Sequence, residues 1–583
     1  MFGKILTIDG NSCKIENLSK VTHSELMNCH VIFPEKDRKV MGEITKITDE
    51  VIDILLVGEI KNNKFYPGVV KKPNTVPRII NVSELELVIG TQSKGLPVLG
   101  ESSIYKGFNI NLPIDDFFAN HSAIIGNTGS GKSCGVTRIL QNIIINSEKR
   151  PVNSHFVIFD AYGEYKNAFT KMNSVNMNFK KYTTSIEEVD ELMLKIPPNF
   201  LEVDDLAILL QVTDAMQLPV LEKTLKLVYI FTSEDEKVIE YKNDIIAKCL
   251  LDILTSGKSA GQIRDQIIAV LTSYNTESLN LESIIRQPGY DRTLKQCLLI
   301  DEHGKLNAIS LVTEFLKKFT RLNLDNIMIN YDYTYTLDDL YYALEFALLS
   351  EGTINSSESY SKNNILKTRL QTIINSDYKS IFEVNKFMTK ESFVEDIFKT
   401  DIGENVQLID INLSHVDDRF AKVLTKLFSK LFFNYTNRLQ NRGSFPINII
   451  LEEAHRYVQN DSDIDLIGYN IFDRITKEGR KYGVILGLIT QRPSEMSETA
   501  LSQCNNFLCF KMLHPKDVEY IKNMVPNITN EIVKRLRILQ PGNCVAFGLA
   551  FKVPTLIKFE MPSPEPASSS CNIIEKWFVN RNR

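Results

Sequence analysis

The sequence lacks any apolar run that approaches the roughly 20 residues needed for a helix to cross a bilayer. Residues 1–9 reach charged side chains too early for a secretory signal peptide. Nine cysteines are scattered without a C-x-x-C pair, so neither a disulfide framework nor a structural zinc site is indicated. We therefore expect a cytoplasmic protein with reduced thiols and no membrane segment.

The sequence also lacks an excess of positive charge. The net charge of −5 argues against a chain that coats nucleic acid through bulk charge, although a ring with a basic channel and an acidic exterior is compatible with it. The fractions of hydrophobic residues (43%) and charged residues (24%) are those of a globular protein. A length of 583 residues exceeds what one hydrophobic core usually supports, so we expect two to four domains.

One segment, residues 126–133, matches the pattern G-x-x-x-x-G-K-[ST] of loops that wrap the phosphates of ATP or GTP. Its glycines let the backbone N–H groups turn inward as an anion nest. Lys132 supplies a point charge for the β- and γ-phosphates, and the Ser133 hydroxyl can ligate Mg²⁺. A strand pattern at residues 121–125 precedes the loop and a helical pattern at residues 135–145 follows it. The predicted cofactors are ATP and Mg²⁺, and the predicted nucleotide-binding residues are Gly126, Asn127, Thr128, Gly129, Ser130, Gly131, Lys132, Ser133 and Cys134.

The hydrophobic pattern divides the chain into five regions. Short strands joined by turns, such as residues 5–8 and 13–15 around Gly10, predict a small β-barrel at the N-terminus. We expect the polar stretch at residues 350–363 to be a mobile loop. The predicted regions are residues 1–98 (barrel), 99–185 (first part of an α/β core), 186–400 (helical insertion), 401–560 (second part of the core) and 561–583 (C-terminal tail).

A phosphate loop cleaves nucleotide only with carboxylates nearby, one to hold the metal and one to activate water. Asp301 and Glu302 follow an apolar run, but they lie in the helical region, where a helix-end charge pair is the plain interpretation. Glu452 and Glu453 follow a strand pattern in the strand-rich region and are favoured. Glu453 is the predicted general base, and Glu452 is predicted to help Ser133 hold Mg²⁺.

A further strand pattern, residues 484–489, ends at Thr490 and Gln491, and we predict that Gln491 senses the γ-phosphate and the attacking water. The order of phosphate loop, carboxylate strand and sensor strand is that of a RecA-like ATPase. The predicted fold class is therefore α/β: a RecA-like P-loop ATPase core with an N-terminal small β-barrel and a helical insertion. Arg480, in a basic segment, is the predicted arginine finger for a neighbouring subunit, with Arg474 as the alternative and a solvated charge cluster as the plain interpretation.

Together these segments resemble the HerA family of ATP-driven DNA translocases, relatives of FtsK, over nearly the whole chain. His121 and residues 128–133 are similar to the family's phosphate loop, and residues 452–455 are similar to its carboxylate box. Several motifs in the right order are more specific than any one of them. The other similar segments are residues 160–165 (Asp-Ala-Tyr-Gly-Glu-Tyr where the family has Asp-Pro-His-Gly-Glu-Tyr), 479–483, 490–494 and 539–548.

The sequence also departs from the family pattern. Ala161 and Tyr162 replace Pro-His, so any contact made by that histidine is absent. Glu452 stands where many relatives have aspartate, which adds a methylene between the backbone and the metal-binding carboxylate. Lys511 stands where an arginine is expected, which weighs against a second cation that acts on a neighbour.

The resemblance implies a homohexameric ring with ATP at the subunit interfaces and duplex DNA in the central pore. It also implies that the barrels dock a partner, either a NurA-like nuclease or, in bacterial defence against phage, a sirtuin-like NADase or another nuclease. A different class of function is an assembly scaffold that organises a partner effector, with ATP mainly as a ligand; the acidic charge fits this alternative. A membrane-coupled DNA pump is disfavoured because no membrane segment is expected.

Overall fold

A computed structural model describes residues 2–18, 26–68, 70–90, 97–145, 150–170, 172, 177–321, 331–352, 357–384, 386–460, 466–524, 530–567 and 573–577. The chain forms two compact units. The first contains Met1–Thr184, Glu188–Leu192 and Val394–Arg583, and the second contains Ser185–Glu187 and Met193–Phe393. Within the described parts of the chain, no helix has the length and the apolar character that crossing a membrane would require.

The first unit begins with a seven-stranded antiparallel sheet followed by a capped helix. The strands run in the spatial order β1-β2-β5-β4-β3-β7, and β6 pairs with β5. Buried and partly exposed residues alternate along β5, as expected for a strand with one face on a core. This sheet fits the predicted small barrel. Its elements are β1 (Phe2–Asp9), β2 (Ser12–Asn17), β3 (His30–Pro34), β4 (Lys39–Ile47), β5 (Val51–Lys61), β6 (Lys64–Pro67), β7 (Arg78–Ile79) and helix α1 (Val82–Ile89).

The chain then enters a large sheet, in which the strands Ser122–Ile125 and Phe156–Asp160 are fully buried. Continuous apolar strands of this kind are typical of parallel sheets covered on both faces. The elements of this part are β8 (Val98–Ser102), β9 (Asn109–Asn111), α2 (Ile114–Phe118), β10 (Ser122–Ile125), α3 (Lys132–Ile145), β11 (Phe156–Asp160), α4 (Lys166–Thr170), β12 (Phe179–Thr183) and β13 (Leu192–Met193).

The second unit is mainly helical, with one short hairpin. The expectation of a mobile loop at residues 350–363 is wrong for most of that stretch, because one helix continues to Gly352 and the next begins at Ser357; residues 353–356 lie outside the described residues. No proline or glycine interrupts residues 357–374, and burial of Leu366 and Leu370 favours a helix that continues back through the polar turn. The elements are α5 (Val203–Leu209), α6 (Leu218–Thr232), α7 (Glu236–Thr255), α8 (Ala260–Ser273), β14 (Ile284–Ile285), β15 (Arg292–Thr293), α9 (Leu294–Cys297), α10 (Ile309–Lys317), α11 (Leu337–Gly352), α12 (Ser357–Ile374) and α13 (Lys390–Ile397).

The remaining elements complete the large sheet. Helix α14 buries a broad apolar face, and Asp417 caps its first turn by accepting the Phe420 N–H. These elements are β16 (Leu408–Asn412), α14 (Asp418–Arg438), β17 (Ile447–Leu451), α15 (Ile471–Tyr482), β18 (Val484–Thr490), α16 (Glu498–Ser502), β19 (Asn506–Cys509), α17 (Pro515–Met524), α18 (Asn530–Ile538), β20 (Asn543–Gly548), β21 (Phe551–Lys558) and α19 (Ile573–Trp577).

The twelve strands of the large sheet are ordered β13-β12-β16-β11-β17-β18-β10-β19-β20-β21-β8-β9. The strands from β12 to β19 pair in parallel, and the strands beyond β19 continue the sheet antiparallel. Because parallel strands share one carboxyl edge, the segments after β10, β11, β17 and β18 meet there. This arrangement confirms the predicted α/β class. The predicted boundaries at residues 98, 185, 400 and 560 stay predictions.

Candidate active site at the carboxyl edge of the large sheet

The phosphate-loop segment connects β10 to α3 in a conformation that needs its glycines. Gly129 and Gly131 have φ values of +71° and +102°, which residues with a Cβ rarely adopt. A Cβ on Gly131 would lie 2.9 Å from the backbone nitrogen of Gly542. A Cβ on Gly126 would lie 2.6 Å from Cβ of Phe510. The loop is therefore packed tightly from outside, and side chains larger than hydrogen are excluded at Gly126 and Gly131.

Lys132 begins helix α3, and its ammonium is buried against the loop. Its Nζ donates hydrogen bonds to the carbonyl oxygens of Gly126 at 2.8 Å and Asn127 at 3.1 Å. Burial lowers the pKa of Lys132, while the carboxylates of Glu453 and Glu452 oppose this shift. The first N–H groups of α3 have no acceptor inside the helix and, with Lys132, form an environment suited to an anion.

Glu452 follows β17, and its side chain reaches the first turn of α3. The Ser133 hydroxyl lies 3.2 Å from Oε1 of Glu452 and donates to it. The other oxygen, Oε2, is buried and has no hydrogen-bond partner within the described part of the chain. Burial raises the pKa of Glu452 well above its usual range, and the negative charges of Asp160 and Glu164 add to the shift. A hydroxyl beside a buried carboxylate with an unpaired oxygen fits Mg²⁺, which prefers oxygen ligands.

Glu453 has backbone angles in the left-handed region, φ +49° and ψ +47°. Such a conformation is uncommon for a residue with a long side chain, and these outliers cluster at functional sites. Its carboxylate is buried, and Oε2 lies 3.2 Å from Nδ1 of His455, which in turn lies 3.2 Å from the Thr490 hydroxyl. Burial raises the pKa of Glu453, while the positive charges of Lys132 and Arg456 oppose the shift. A raised pKa suits a group that accepts a proton.

Gln491, directly after β18, is joined to the phosphate loop. The Thr128 hydroxyl donates a 2.6 Å hydrogen bond to Oε1 of Gln491. Gln491 is half-buried and directly follows β18, the strand that lies between β17 and β10. The predicted sensor and the phosphate loop are therefore held together.

Arg480 lies away from the phosphate loop of its own chain. It is exposed near the end of α15, which leads into β18, and so it belongs to the amino edge of the sheet. Burial lowers the pKa of His121, which lies just before β10, to about 4, and the positive charge of Arg480 contributes to this shift. Arg474, the alternative finger, lies over the Phe433 ring at 5.1 Å and 3.7 Å from Glu478. Neither arginine joins the cluster at the carboxyl edge.

The alternative carboxylates, Asp301 and Glu302, lie in the second unit. Oδ1 of Asp301 accepts the N–H groups of His303 at 2.9 Å and Lys305 at 2.8 Å. These bonds make Asp301 the organising side chain of a turn between α9 and α10, which is a structural role.

Two acidic residues at the site were not among the predicted site residues. Asp160, at the end of β11, is fully buried and accepts the backbone N–H groups of Tyr162, Gly163 and Tyr165. Glu164 is half-buried, and burial raises the pKa of its carboxyl, while interactions with Ser133 and Lys132 oppose this shift. The signal was present in the sequence, because an acidic residue that ends a continuous apolar strand is the pattern that identified Glu452.

Comparison with known proteins gives the family. The model of the central domain of helicase HerA matches residues 98–432. The chain is 26% identical over 338 residues to the DNA double-strand break repair helicase HerA of Sulfurisphaera tokodaii, covering 55% of this chain and 67% of that protein. It is 22% identical over 532 residues to the protein of the same name from Pyrococcus furiosus, covering 90% of this chain and 80% of that protein.

Solved structures with some similarity include VirB4 of Thermoanaerobacter pseudethanolicus, at 14% identity and a TM-score of 0.46, covering 81% of this chain and 97% of that chain. The bacterial conjugative coupling protein TrwB has 12% identity and a TM-score of 0.41, covering 84% of this chain and 94% of that chain. The family match confirms the resemblance drawn from the motifs and the predicted enzyme class, a P-loop ATPase of the helicase type. Because the family model covers more than half of the sequence, the chain belongs to the HerA helicase family.

Proposed function

We propose that this protein is an ATP-hydrolysing DNA translocase that works as a ring together with an effector protein. The observation that carries the proposal is the convergence of Lys132, Ser133, Glu452, Glu453 and Gln491 at one edge of a parallel sheet. This set supplies an anion site, oxygen ligands for a cation, a base and a sensor, which are the parts that phosphoryl transfer to water requires.

Each residue has a defined task in this proposal. Lys132 and the N–H groups of α3 bind the β- and γ-phosphates, and Ser133 and Glu452 hold Mg²⁺. The bound Mg²⁺ neutralises phosphate charge. Glu453 orients a water molecule and takes its proton while the water oxygen bonds to the γ-phosphorus and the bond to the bridging oxygen of ADP breaks. Gln491 senses the γ-phosphate and is coupled to the phosphate loop by its hydrogen bond with Thr128.

The separation of Arg480 from its own phosphate loop supports a ring. The Arg480 guanidinium lies at the amino edge of the sheet, whereas the phosphate loop of the same chain lies at the carboxyl edge. In this proposal Arg480 therefore stabilises the transferred phosphoryl group in the active site of a neighbouring subunit. Two copies would then complete one active site, which a closed ring provides for every subunit.

The names of two relatives support DNA as the substrate, since both are called DNA double-strand break repair helicases. The effector partner is proposed from the family resemblance of the motifs. We propose duplex DNA in the ring and a partner on the N-terminal sheet, either a nuclease of the NurA type or a sirtuin-like NADase in defence against phage.

The test is the ATPase rate of the full chain with and without linear duplex DNA, at about 50 mM and about 200 mM salt. Glu453→Ala provides the blank, and Glu302→Ala is the matched control because that residue belongs to the alternative pair. We expect stimulation by DNA that weakens at high salt, is lost in Glu453→Ala and persists in Glu302→Ala. A rate that Glu302→Ala abolishes and Glu453→Ala spares would overturn the assignment.

A second candidate function is a scaffold that organises an effector, with ATP mainly as a ligand. The observation that favours it is charge: the net charge is −5, and acidic side chains outnumber basic ones in the helical unit, residues 193–393. This candidate predicts an ATPase rate that ignores DNA and changes when a copurifying partner is added. Stimulation of the isolated protein by DNA would exclude it.

A further inference from the structure

The turn that carries the base contacts the strand that carries the sensor, and this contact has no task in the proposed function. Glu453 is followed by one turn of 3₁₀ helix, Ala454–Arg456, and the ring of His455 in that turn reaches the end of β18. Nδ1 of His455 lies 3.2 Å from the Thr490 hydroxyl oxygen and 3.2 Å from Oε2 of Glu453. One ring nitrogen is therefore within reach of both the predicted base and the residue directly before the predicted sensor.

The chemistry of these groups favours a proton on Nδ1. Oε2 of Glu453 is buried and makes no hydrogen bond within the described part of the chain, and Nδ1 lies 3.2 Å from it. The Thr490 oxygen accepts the Arg492 N–H at 3.0 Å and has a second lone pair to offer. A proton on Nδ1 makes both contacts attractive, whereas a lone pair there would face a carboxylate. The hydrogen bond to Thr490 then fixes the ring, and the N–H dipole beside Oε2 attracts the carboxylate.

A second contact joins the same two parts of the chain further along. We call residues 453–459 the base segment and residues 490–497 the sensor segment. The Ser497 N–H donates a 2.9 Å hydrogen bond to the carbonyl oxygen of Val458, and an isolated antiparallel bridge follows beside this bond. The base segment is therefore attached to the sensor segment at two places, by the side chain of His455 and by the backbone.

The sensor segment offers a fixed support. It follows β18, which pairs with parallel strands on both sides. The Ser494 hydroxyl donates a 2.7 Å hydrogen bond to Oδ1 of Asp517 on α17, and Asp517 is itself buried. The base segment begins with the left-handed Glu453, whose conformation persists only because surrounding contacts impose it. A contact with the sensor segment can therefore hold the base in place.

A carboxylate that takes a proton from water must be held within about 0.5 Å of its working position. We propose that His455 is a positioning residue whose Nδ1 directs the Glu453 carboxylate and ties it to Thr490. The base and the sensor, Gln491, then keep one fixed spacing. The inference deepens the proposed function and rests on it only in taking Glu453 as the base and Gln491 as the sensor.

The first test needs no nucleotide and no hydrolysis. It measures amide hydrogen exchange of the sensor segment in the full chain by mass spectrometry. His455→Leu removes Nδ1, whereas His455→Asn puts an amide nitrogen close to the place of Nδ1. We expect exchange to be about two- to tenfold faster in His455→Leu, since a hydrogen bond is lost, and close to that of the unchanged protein in His455→Asn.

Substitutions of Thr490 break or keep the same contact from the other side. Thr490→Val removes the hydroxyl and retains a β-branched side chain in the strand, so it should speed exchange by a similar factor. Thr490→Ser retains the hydroxyl and should leave the exchange rate close to that of the unchanged protein. Thr555→Val is the matched control, because Thr555 is a buried threonine of the same sheet whose hydroxyl donates to the Val553 carbonyl. It should leave the sensor segment unchanged.

The second test measures hydrolysis. His455→Leu should lower kcat for ATP about ten- to hundredfold, because a base displaced by about 1 Å loses about that much rate. Binding of a non-hydrolysable ATP analogue should stay within about twofold, because the groups that bind the phosphates are untouched. His455→Asn should recover most of the rate. The double variant His455→Leu/Thr490→Val should be no slower than the slower single variant, because both substitutions break one contact.

Four results would overturn the inference: exchange of the sensor segment in His455→Leu equal to that of the unchanged protein, an unchanged kcat in His455→Leu, a kcat in His455→Asn as low as in His455→Leu, or losses of kcat that multiply in the double variant. The proposed function fails separately. If the unchanged protein hydrolyses no ATP while His455→Leu and Thr490→Val both speed exchange, the motor is refuted and the tie that His455 makes between the two segments stands.

Discussion

The left-handed backbone of Glu453 gives a prediction about stability that runs against the usual rule. A residue with a Cβ pays about 1–2 kcal/mol to adopt this conformation, and glycine pays almost nothing. Glycine in turn loses about 0.5–1 kcal/mol relative to alanine through the entropy of the unfolded chain. At residue 453 the difference between these two terms runs from zero to about 1.5 kcal/mol in favour of glycine, whereas alanine is the more stable residue at ordinary positions.

The comparison is Glu453→Gly against Glu453→Ala, because both lose the carboxylate and its contact with His455. We expect the glycine variant to unfold at the same temperature as the alanine variant or at a higher one. For a cooperative unit of several hundred residues, the expected difference is on the order of 1 °C. The measurement is thermal unfolding without nucleotide, repeated as a urea titration of the same transition. Both variants should lack ATPase activity, since neither can accept the proton.

The neighbouring position supplies the matched control. Ala454 is fully buried and has ordinary backbone angles, so Ala454→Gly should lower the free energy of unfolding by about 1–2 kcal/mol through entropy and a lost methyl group. The loss of unfolding free energy from alanine to glycine is compared at the two positions. If Glu453→Gly is less stable than Glu453→Ala by as much as Ala454→Gly is less stable than the unchanged protein, residue 453 is not held in the left-handed region.

Three further predictions concern the loop, the base and the ring. Gly131→Ala should weaken ATP binding at least about tenfold, because its Cβ would press on the Gly542 nitrogen and its φ is unfavourable; unchanged affinity in a titration would contradict the described loop. Burial raises the pKa of Glu453 above the ordinary value of 4.5, so its basic form is lost as the pH falls through that higher value. The acid limb of kcat/KM for ATP should therefore lie above pH 4.5, and a limb at or below that value would refute the assignment. Arg480→Ala and Glu453→Ala should each be inactive alone, yet an equal mixture should regain about a quarter of the activity if the arginine acts on a neighbour; no recovery in exchanging subunits would refute action between subunits.

The sequence was sufficient for the phosphate loop and the order of its companions, because these depend on local patterns. Glycines with a lysine and a serine between a strand and a helix specify the loop, and an acidic residue after an apolar strand specifies Glu452. The same rule applied to Asp160, yet its position at the site depends on which strands become neighbours. That information is non-local.

The helical unit shows the other limit of sequence reasoning. The polar composition of residues 350–363 predicts a mobile loop, whereas the structure has helix from Ser357 onward, and the later turns of that helix bury Leu366 and Leu370. Tertiary packing outweighed local composition at that point. The left-handed Glu453 was also not predictable, since nothing in the residue type indicates it and the conformation is imposed by surrounding contacts.

The order of strands in the large sheet has a consequence for biosynthesis. The strand that leads into the phosphate loop, β10, pairs only with β18 and β19, which lie more than 350 residues later in the chain. A ribosome makes the phosphate-loop segment first, and the two strands that flank β10 are both available only after Cys509 has left the exit tunnel. Until then the nascent chain carries apolar strands with open edges, a state prone to aggregation that favours chaperone binding. Nucleotide binding at this site is thus acquired only after residue 509 has been synthesised.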